Sequence, residues 1–135
     1  MKNPKVIIAS GPVIVENSEV LLNQHGDTEF WKFCGGKIED YSTDLIENAR
    51  REAKEEMGID LKILDENPFI THTTKADGNG NKIDVLLVHY LAEKIGKISP
   101  GEDIREWKWI NINDLDKENL APNIMPALDY FGFIK

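Results

Sequence analysis

A mixed α/β fold, with a central mixed β-sheet flanked by helices, is the architecture this sequence predicts. Three observations point to it. Runs of β-branched and aromatic residues lie on both sides of one amphipathic helical stretch, a second helical stretch closes the chain, and the composition supplies one globular core. The 135 residues are 41% hydrophobic and 30% charged, which suits a single domain over residues 1–135 that buries its core without disulfides or a structural metal.

The first strands are Val6-Ile7-Ile8-Ala9 and Val13-Ile14-Val15, with Gly11-Pro12 as a break between them. Glu16-Asn17-Ser18-Glu19 is a polar turn, and Val20-Leu21-Leu22 is the return strand of a hairpin. Phe30-Trp31-Lys32-Phe33 alternates as a further short strand would. After Cys34-Gly35-Gly36 and a polar loop, Leu45, Ile46, Ala49, Ala53 and Met57 recur at helical spacing. Asp44 is the candidate N-cap, Glu47 completes a capping-box pattern, and Gly58 is the C-terminal stop, so the helix spans about 44–57. Strands are predicted at Ile59 to Leu64, Phe69 to Thr74, Ile83 to Leu91 and Trp107 to Ile110. The run from Ile83 is apolar enough to be a central strand. Asp77-Gly78-Asn79-Gly80-Asn81 is a turn, Gly96 to Asp103 a polar loop, and Asn113-Asp114-Leu115 a short turn. Ile124 to Phe131, behind Pro122-Asn123, is the second helix.

Lys plus Arg number 16 and Asp plus Glu 24, leaving a net charge of −8. That balance opposes binding to a nucleic-acid polymer or an anionic membrane, both of which need clustered cations. An anionic substrate would therefore need metal cations to hold it. The lone Cys34 excludes an internal disulfide and a cysteine-rich zinc site, and reads as a small buried apolar residue. The leading Met1-Lys2-Asn3-Pro4-Lys5 has no signal-peptide core, so a cytoplasmic protein is expected.

The chemistry concentrates in Gly35-Gly36-Lys37-Ile38-Glu39 and in Arg50-Arg51-Glu52-Ala53-Lys54-Glu55-Glu56-Met57-Gly58-Ile59. On a helix, Glu52, Glu55 and Glu56 fall within an arc of roughly 100°, beside the apolar stripe. Charged helix faces are ordinarily solvated faces, and Glu47, Arg51 and Glu55 form a ladder of alternating sign. Like charges this close cost stability, however, unless a divalent cation turns the repulsion into coordination. Mg²⁺ prefers carboxylate oxygens and keeps positions open for water and phosphate. The glycine pair lets backbone approach a metal or phosphate closely.

This pattern resembles the Nudix box, Gly-x5-Glu-x7-Arg-Glu-U-x-Glu-Glu-x-Gly-U with U a bulky apolar residue, from Gly36 to Ile59. The resemblance to the Nudix hydrolases implies an α/β/α sandwich and metal-dependent hydrolysis of a pyrophosphate bond in a nucleoside diphosphate linked to another group. It implies Mg²⁺ or Mn²⁺ as cofactor, held by Glu52, Glu55, Glu56 and the carbonyl of Gly36. It implies Arg51 as the residue orienting the glutamates, and Glu39 as an acidic position near the substrate. Glu55, or a carboxylate among Glu102, Asp103 and Glu106, would take the proton of the attacking water. The short chain is similar to the MutT-type nucleoside-triphosphate pyrophosphohydrolases, which implies a small nucleotide as partner; strand edges near the N-terminus would allow a homodimer as well as a monomer.

Three departures accompany the resemblance. One extra residue lies between Gly36 and Arg51. Ser42 or Thr43 stands where the box has its first glutamate, leaving Asp44 and Glu47 as candidates to buttress Arg51. Cys34 stands where a proline often precedes the glycines. They motivate an alternative, a Nudix-fold nucleotide sensor without turnover; a third reading is an acidic protein-interaction face. Asn123 either caps the second helix or reads a purine edge. Trp31, Trp107 and Trp109 are core candidates that could instead stack on a base. His25, His72 and His89 show no metal-ligand spacing and are assigned no role.

Overall fold

The computed structural model describes residues 5–134; the first four residues of the N-terminal stretch, and residue 135, lie outside it. Seven strands form one sheet: β1 (Val6–Glu16), β2 (Glu19–His25), β3 (Gly36–Lys37), β4 (Asp60–Ile63), β5 (Phe69–Ala76), β6 (Lys82–Ile95) and β7 (Ile104–Asn111). The main path runs β4-β6-β1-β2-β7, with β3 on β1 and β5 on β6. Among the ladders of the described residues, β1 and β6 pair in parallel, from Val6↔Asp84 to Ile14↔Ala92, and the others are antiparallel. The sheet is mixed, as predicted, and β6 lies inside it.

Helix α1 (Leu45–Met57) packs on one face and α2 (Ile124–Tyr130) on the other, with a 3₁₀ turn at Ile112–Lys117. Side-chain alternation builds a core on each face. Ile14 and Leu21 point toward Ala49, Ala53 and Met57 of α1. Their neighbours Val13, Val20 and Leu22 pack with Leu115, Ile124, Ala127 and Leu128 on the opposite side. Fully burying each large apolar side chain contributes about 1.5–3 kcal/mol. The two layers make an α/β/α sandwich.

Helix α1 begins where Asp44, in extended backbone, accepts the N–H of Ile46 at 2.7 Å. It ends where Gly58, at φ 69°, donates to the carbonyl of Lys54. Glu47 turns to Arg50 instead of closing a capping box. Asn17 and Ser18, both at positive φ, make the tight hairpin turn between β1 and β2.

Two local expectations are corrected. Gly11-Pro12 does not break β1, which runs unbroken through both residues. Residues 11–14 of β1 have a strand partner only on the β6 side, an arrangement in which proline is tolerated. Gly11 is required because a Cβ there would lie 1.9 Å from the carbonyl oxygen of Cys34. Phe30 to Phe33 forms only isolated bridges, Asn23↔Lys32 and Trp31↔Leu120. Trp31 and Phe33 are drawn into the core while Phe30 stays exposed, so the alternation reflects burial without a ladder.

Candidate active site

The last two turns of α1 face the Gly35-Gly36 loop. A Cβ on Gly36 would lie 2.4 Å from the carboxyl carbon of Glu52, so glycine is what lets that carboxylate lie against the backbone. Glu56 accepts the Gly35 N–H through Oε1 at 3.0 Å. Its Oε2 lies 3.2 Å from His25 Nε2, a close polar contact that falls short of a well-directed hydrogen bond. The side chains of Glu52 and Glu56 are 12% and 10% exposed.

Glu55 stands apart. Its side chain is 58% exposed and both oxygens lie 3.1 Å from Arg51 Nη1. Arg51 also pairs with Glu52 at 3.1 Å and donates to Asn48 Oδ1 at 2.7 Å. Neither Asp44 nor Glu47 supports Arg51: Asp44 is occupied by Ile46, and Glu47 by Arg50. Sequence reasoning missed Asn48, a buried polar residue on the same helix face. The legible signal was a stripe of polar residues, Asn48, Glu52 and Glu56, four apart beside Ala49, Ala53 and Met57.

Burial, then the charge of Glu56, raises the carboxyl pKa of Glu52 above its usual range. Burial works the same way on Glu56, but His25 and the Gly35 N–H outweigh it and hold its carboxyl below that range. Burial likewise opposes the charge on Arg51, yet Glu55 and Glu52 raise its pKa. The Cys34 thiol, shielded from water and facing Glu56, is pushed well up and is inert.

Among the described residues, no group of three His, Cys, Asp or Glu side chains is arranged as a ready-made metal cage. The donor chemistry nonetheless fits a hard divalent cation: carboxylate oxygens and one backbone carbonyl, with two of the carboxylates repelling each other at low solvent exposure. Completing a three-carboxylate set requires Glu55 to leave Arg51. That exposed i,i+4 pair is worth only about 0.3–0.5 kcal/mol, so the swing is cheap.

The remaining predicted residues lie around this centre. Glu39 is exposed and contributes charge near Arg51. Glu102 and Asp103 border a recess with His25, Gly26 and Arg105, and His25 also contacts Glu56. Asn123 occupies the N-cap position of α2 but makes no capping hydrogen bond with its side chain. It lines a mainly apolar cavity of about 340 Å³ on the sheet face opposite α1. The floor of the cavity includes Thr71, Leu87 and His89, its walls include Phe30 and Phe33, and Gly35 and Gly36 form its border with the glutamates. The tryptophans are absent from this lining: Trp31 is in the core beneath Lys108, and Trp109 packs on the α1 side. His25 and His89, which sequence spacing left without a role, thus lie at the two ends of the site.

An acidic helix against a glycine loop, inside an α/β/α sandwich, is the arrangement that the resemblance to the Nudix family implied. A NUDIX domain family model matches residues 6–131, and the chain belongs to the Nudix family. No curated protein sequence matches it. The fold resembles that of the E. coli ORF135 protein, with TM-score 0.73 and 22% identity over 95% of this chain and 89% of that one. It is similar to a MutT Nudix hydrolase from Burkholderia pseudomallei, with TM-score 0.73 and 23% identity over 93% and 97% of the two chains. It is also similar to a C. elegans Ap4A hydrolase in a binary complex, with TM-score 0.70 and 22% identity over 93% and 94%. Among the described residues no helix is long and apolar enough to cross a membrane.

Proposed function

We propose that this protein hydrolyses a pyrophosphate bond in a nucleoside diphosphate linked to a further group, most simply a nucleoside triphosphate, with Mg²⁺ or Mn²⁺. One observation carries the reading. The Gly35-Gly36 loop is touched by two buried glutamates on one side and opens onto an apolar cavity on the other. A ligand crossing that loop would be anionic at one end and flat and apolar at the other, which describes a nucleotide.

Glu52, Glu55, Glu56 and the Gly36 carbonyl would hold the cation, which when bound neutralises phosphate charge and acidifies a water. Arg51 orients Glu52 and Glu55 through its ion pairs with both. The water oxygen bonds to phosphorus, the bridging P–O bond breaks, and the departing phosphate group leaves. The water's proton passes to a carboxylate. Glu55 suits that role because it is exposed and held by Arg51 alone; Glu102 and Asp103, which share a recess with His25, are the alternatives. Asn123, with both donor and acceptor free of capping duty, would read the edge of a base, and Glu39 would meet the substrate near Arg51. We place this activity in the cytoplasm, in a monomer or homodimer.

The test is a panel of nucleoside triphosphates, ADP-ribose, sugar nucleotides and dinucleoside polyphosphates with Mg²⁺ or Mn²⁺. Metal-dependent release of a nucleoside monophosphate from at least one member is expected. Tight nucleotide binding without turnover at any metal concentration would replace the enzyme by the sensor.

A further inference from the structure

Asn48 is 1% exposed, and its carboxamide joins three separate parts of the site. Its Oδ1 accepts from Arg51 Nη2 at 2.7 Å. Its Nδ2 donates to the carbonyl of Gly36 at 2.9 Å and to Ser10 Oγ at 3.0 Å. Ser10 Oγ in turn donates to the carbonyl of Leu45 at 2.7 Å, in the first turn of α1. The orientation of the amide follows from its partners. A carbonyl only accepts and a guanidinium only donates, so the nitrogen must face Gly36 and the oxygen must face Arg51.

We propose that Asn48 is a positioning residue for the acidic site, fixing the Gly36 carbonyl and the Arg51 guanidinium in one frame, and that only an amide can do so. This rests on the reading of Glu52, Glu55, Glu56 and Gly36 as cation ligands. Asn48 supplies the acceptor for Arg51 that the expected box glutamate would have supplied from the loop, where Ser42 and Thr43 are exposed instead. It adds what a carboxylate lacks: two N–H donors, which tie the Gly36 carbonyl and Ser10 Oγ to the same side chain.

The discriminating variant is Asn48→Asp, which keeps the size and the acceptor for Arg51 but sets an acceptor against the Gly36 carbonyl. Mn²⁺ affinity is read by electron paramagnetic resonance on the full chain, with thermal unfolding in parallel. Supporting residues of this kind contribute about 10- to 100-fold in metal affinity. Asn48→Asp and Asn48→Ala should both weaken Mn²⁺ binding by at least tenfold. Equal Mn²⁺ affinity in wild type and a folded Asn48→Asp overturns the proposal alone. No Mn²⁺ binding by wild type overturns the cation reading and the proposal with it. Should either variant not fold, the unmutated protein decides: the Asn48 side-chain amide protons must shift in NMR spectra on adding Mg²⁺, and unmoved signals overturn the proposal.

Discussion

The Nε2 of His25 lies 3.2 Å from Oε2 of Glu56, on the side of that carboxylate away from the Gly35 N–H. Glu56 is thereby gripped from β2 and from the glycine loop at once. Its folded-state pKa is depressed, so its contribution to stability is present above its ordinary value of 4.5 and is lost as pH falls through the lower folded value. Replacing His25 by Ala leaves a mostly buried carboxylate short of a partner. We expect a loss of about 1–3 kcal/mol at pH 7, and an acid-unfolding limb displaced to higher pH. Urea titrations from roughly pH 3 to roughly pH 7, spanning the carboxylate range, check both; an unchanged limb would detach His25 from Glu56.

The glutamates should separate function from stability. Glu52→Gln removes a carboxylate whose ionisation burial opposes, so the metal-free variant should be no less stable than wild type. Turnover by Glu52→Gln, Glu55→Gln or Glu56→Gln should fall by about 100-fold or more. Thermal melts beside an activity assay decide it, and any variant with full turnover leaves the proposed mechanism.

Divalent cations should stabilise the folded chain measurably. Saturating the site at about 100 times its dissociation constant adds about 2.7 kcal/mol. Mg²⁺ or Mn²⁺ should therefore raise the melting temperature, EDTA should reverse the rise, and Glu56→Gln should abolish it. A melting temperature indifferent to both cations would contradict the donor set.

Two glycines should respond differently to alanine. At Gly36 the added Cβ meets the mobile end of Glu52, 2.4–2.6 Å away. Glu52 can move, so Gly36→Ala should fold while losing most turnover. At Gly11 the Cβ would meet backbone, 1.9 Å from the Cys34 carbonyl. Gly11→Ala should cost several kcal/mol, of the order of an overpacked core. Circular dichroism melts of the two variants distinguish the cases.

Burial pushes the pKa of the His89 imidazole down to about 4 from 6.5. The folded value is the lower one, so as pH falls the unfolded chain takes up the proton first. The stabilisation is complete above the ordinary value and drains away toward the folded one. Between pH 7 and pH 5, both roughly bracketing that window, the loss is about 2 kcal/mol. In His89→Leu the decline in stability over the same interval should be shallower by that amount, read by urea unfolding.

Helix α1 was legible because its signals are local: Asp44, the apolar period and Gly58 all act within a few residues. The two-faced core was not read from the short apolar runs of β1 and β2, whose residues divide between the faces only once the sheet is formed. Phe30 to Phe33 misled because alternation reports burial, and burial does not require a ladder. Gly11-Pro12 misled because whether proline interrupts a strand depends on which edge has a partner. In the candidate site, the sequence pointed to Arg51 and the glutamates but not to what supports them. The partners of Asn48 lie 3, 12 and 38 positions away, and the cavity draws on β1, β5, β6 and the approach to α2. Such juxtapositions arise only once the sheet has assembled.

The Gly35-Gly36 loop is a partition with different owners on its two sides. The carboxylates come from α1, whereas Phe30, Thr71, His89 and Asn123 come from elements that carry none of the acidic machinery. Under the proposed function, exchanging the lining residues would retool which compound is accepted while leaving the acidic helix untouched, so a scaffold of this design would be diverted from one nucleotide to another by a handful of substitutions on the far side of a two-residue wall.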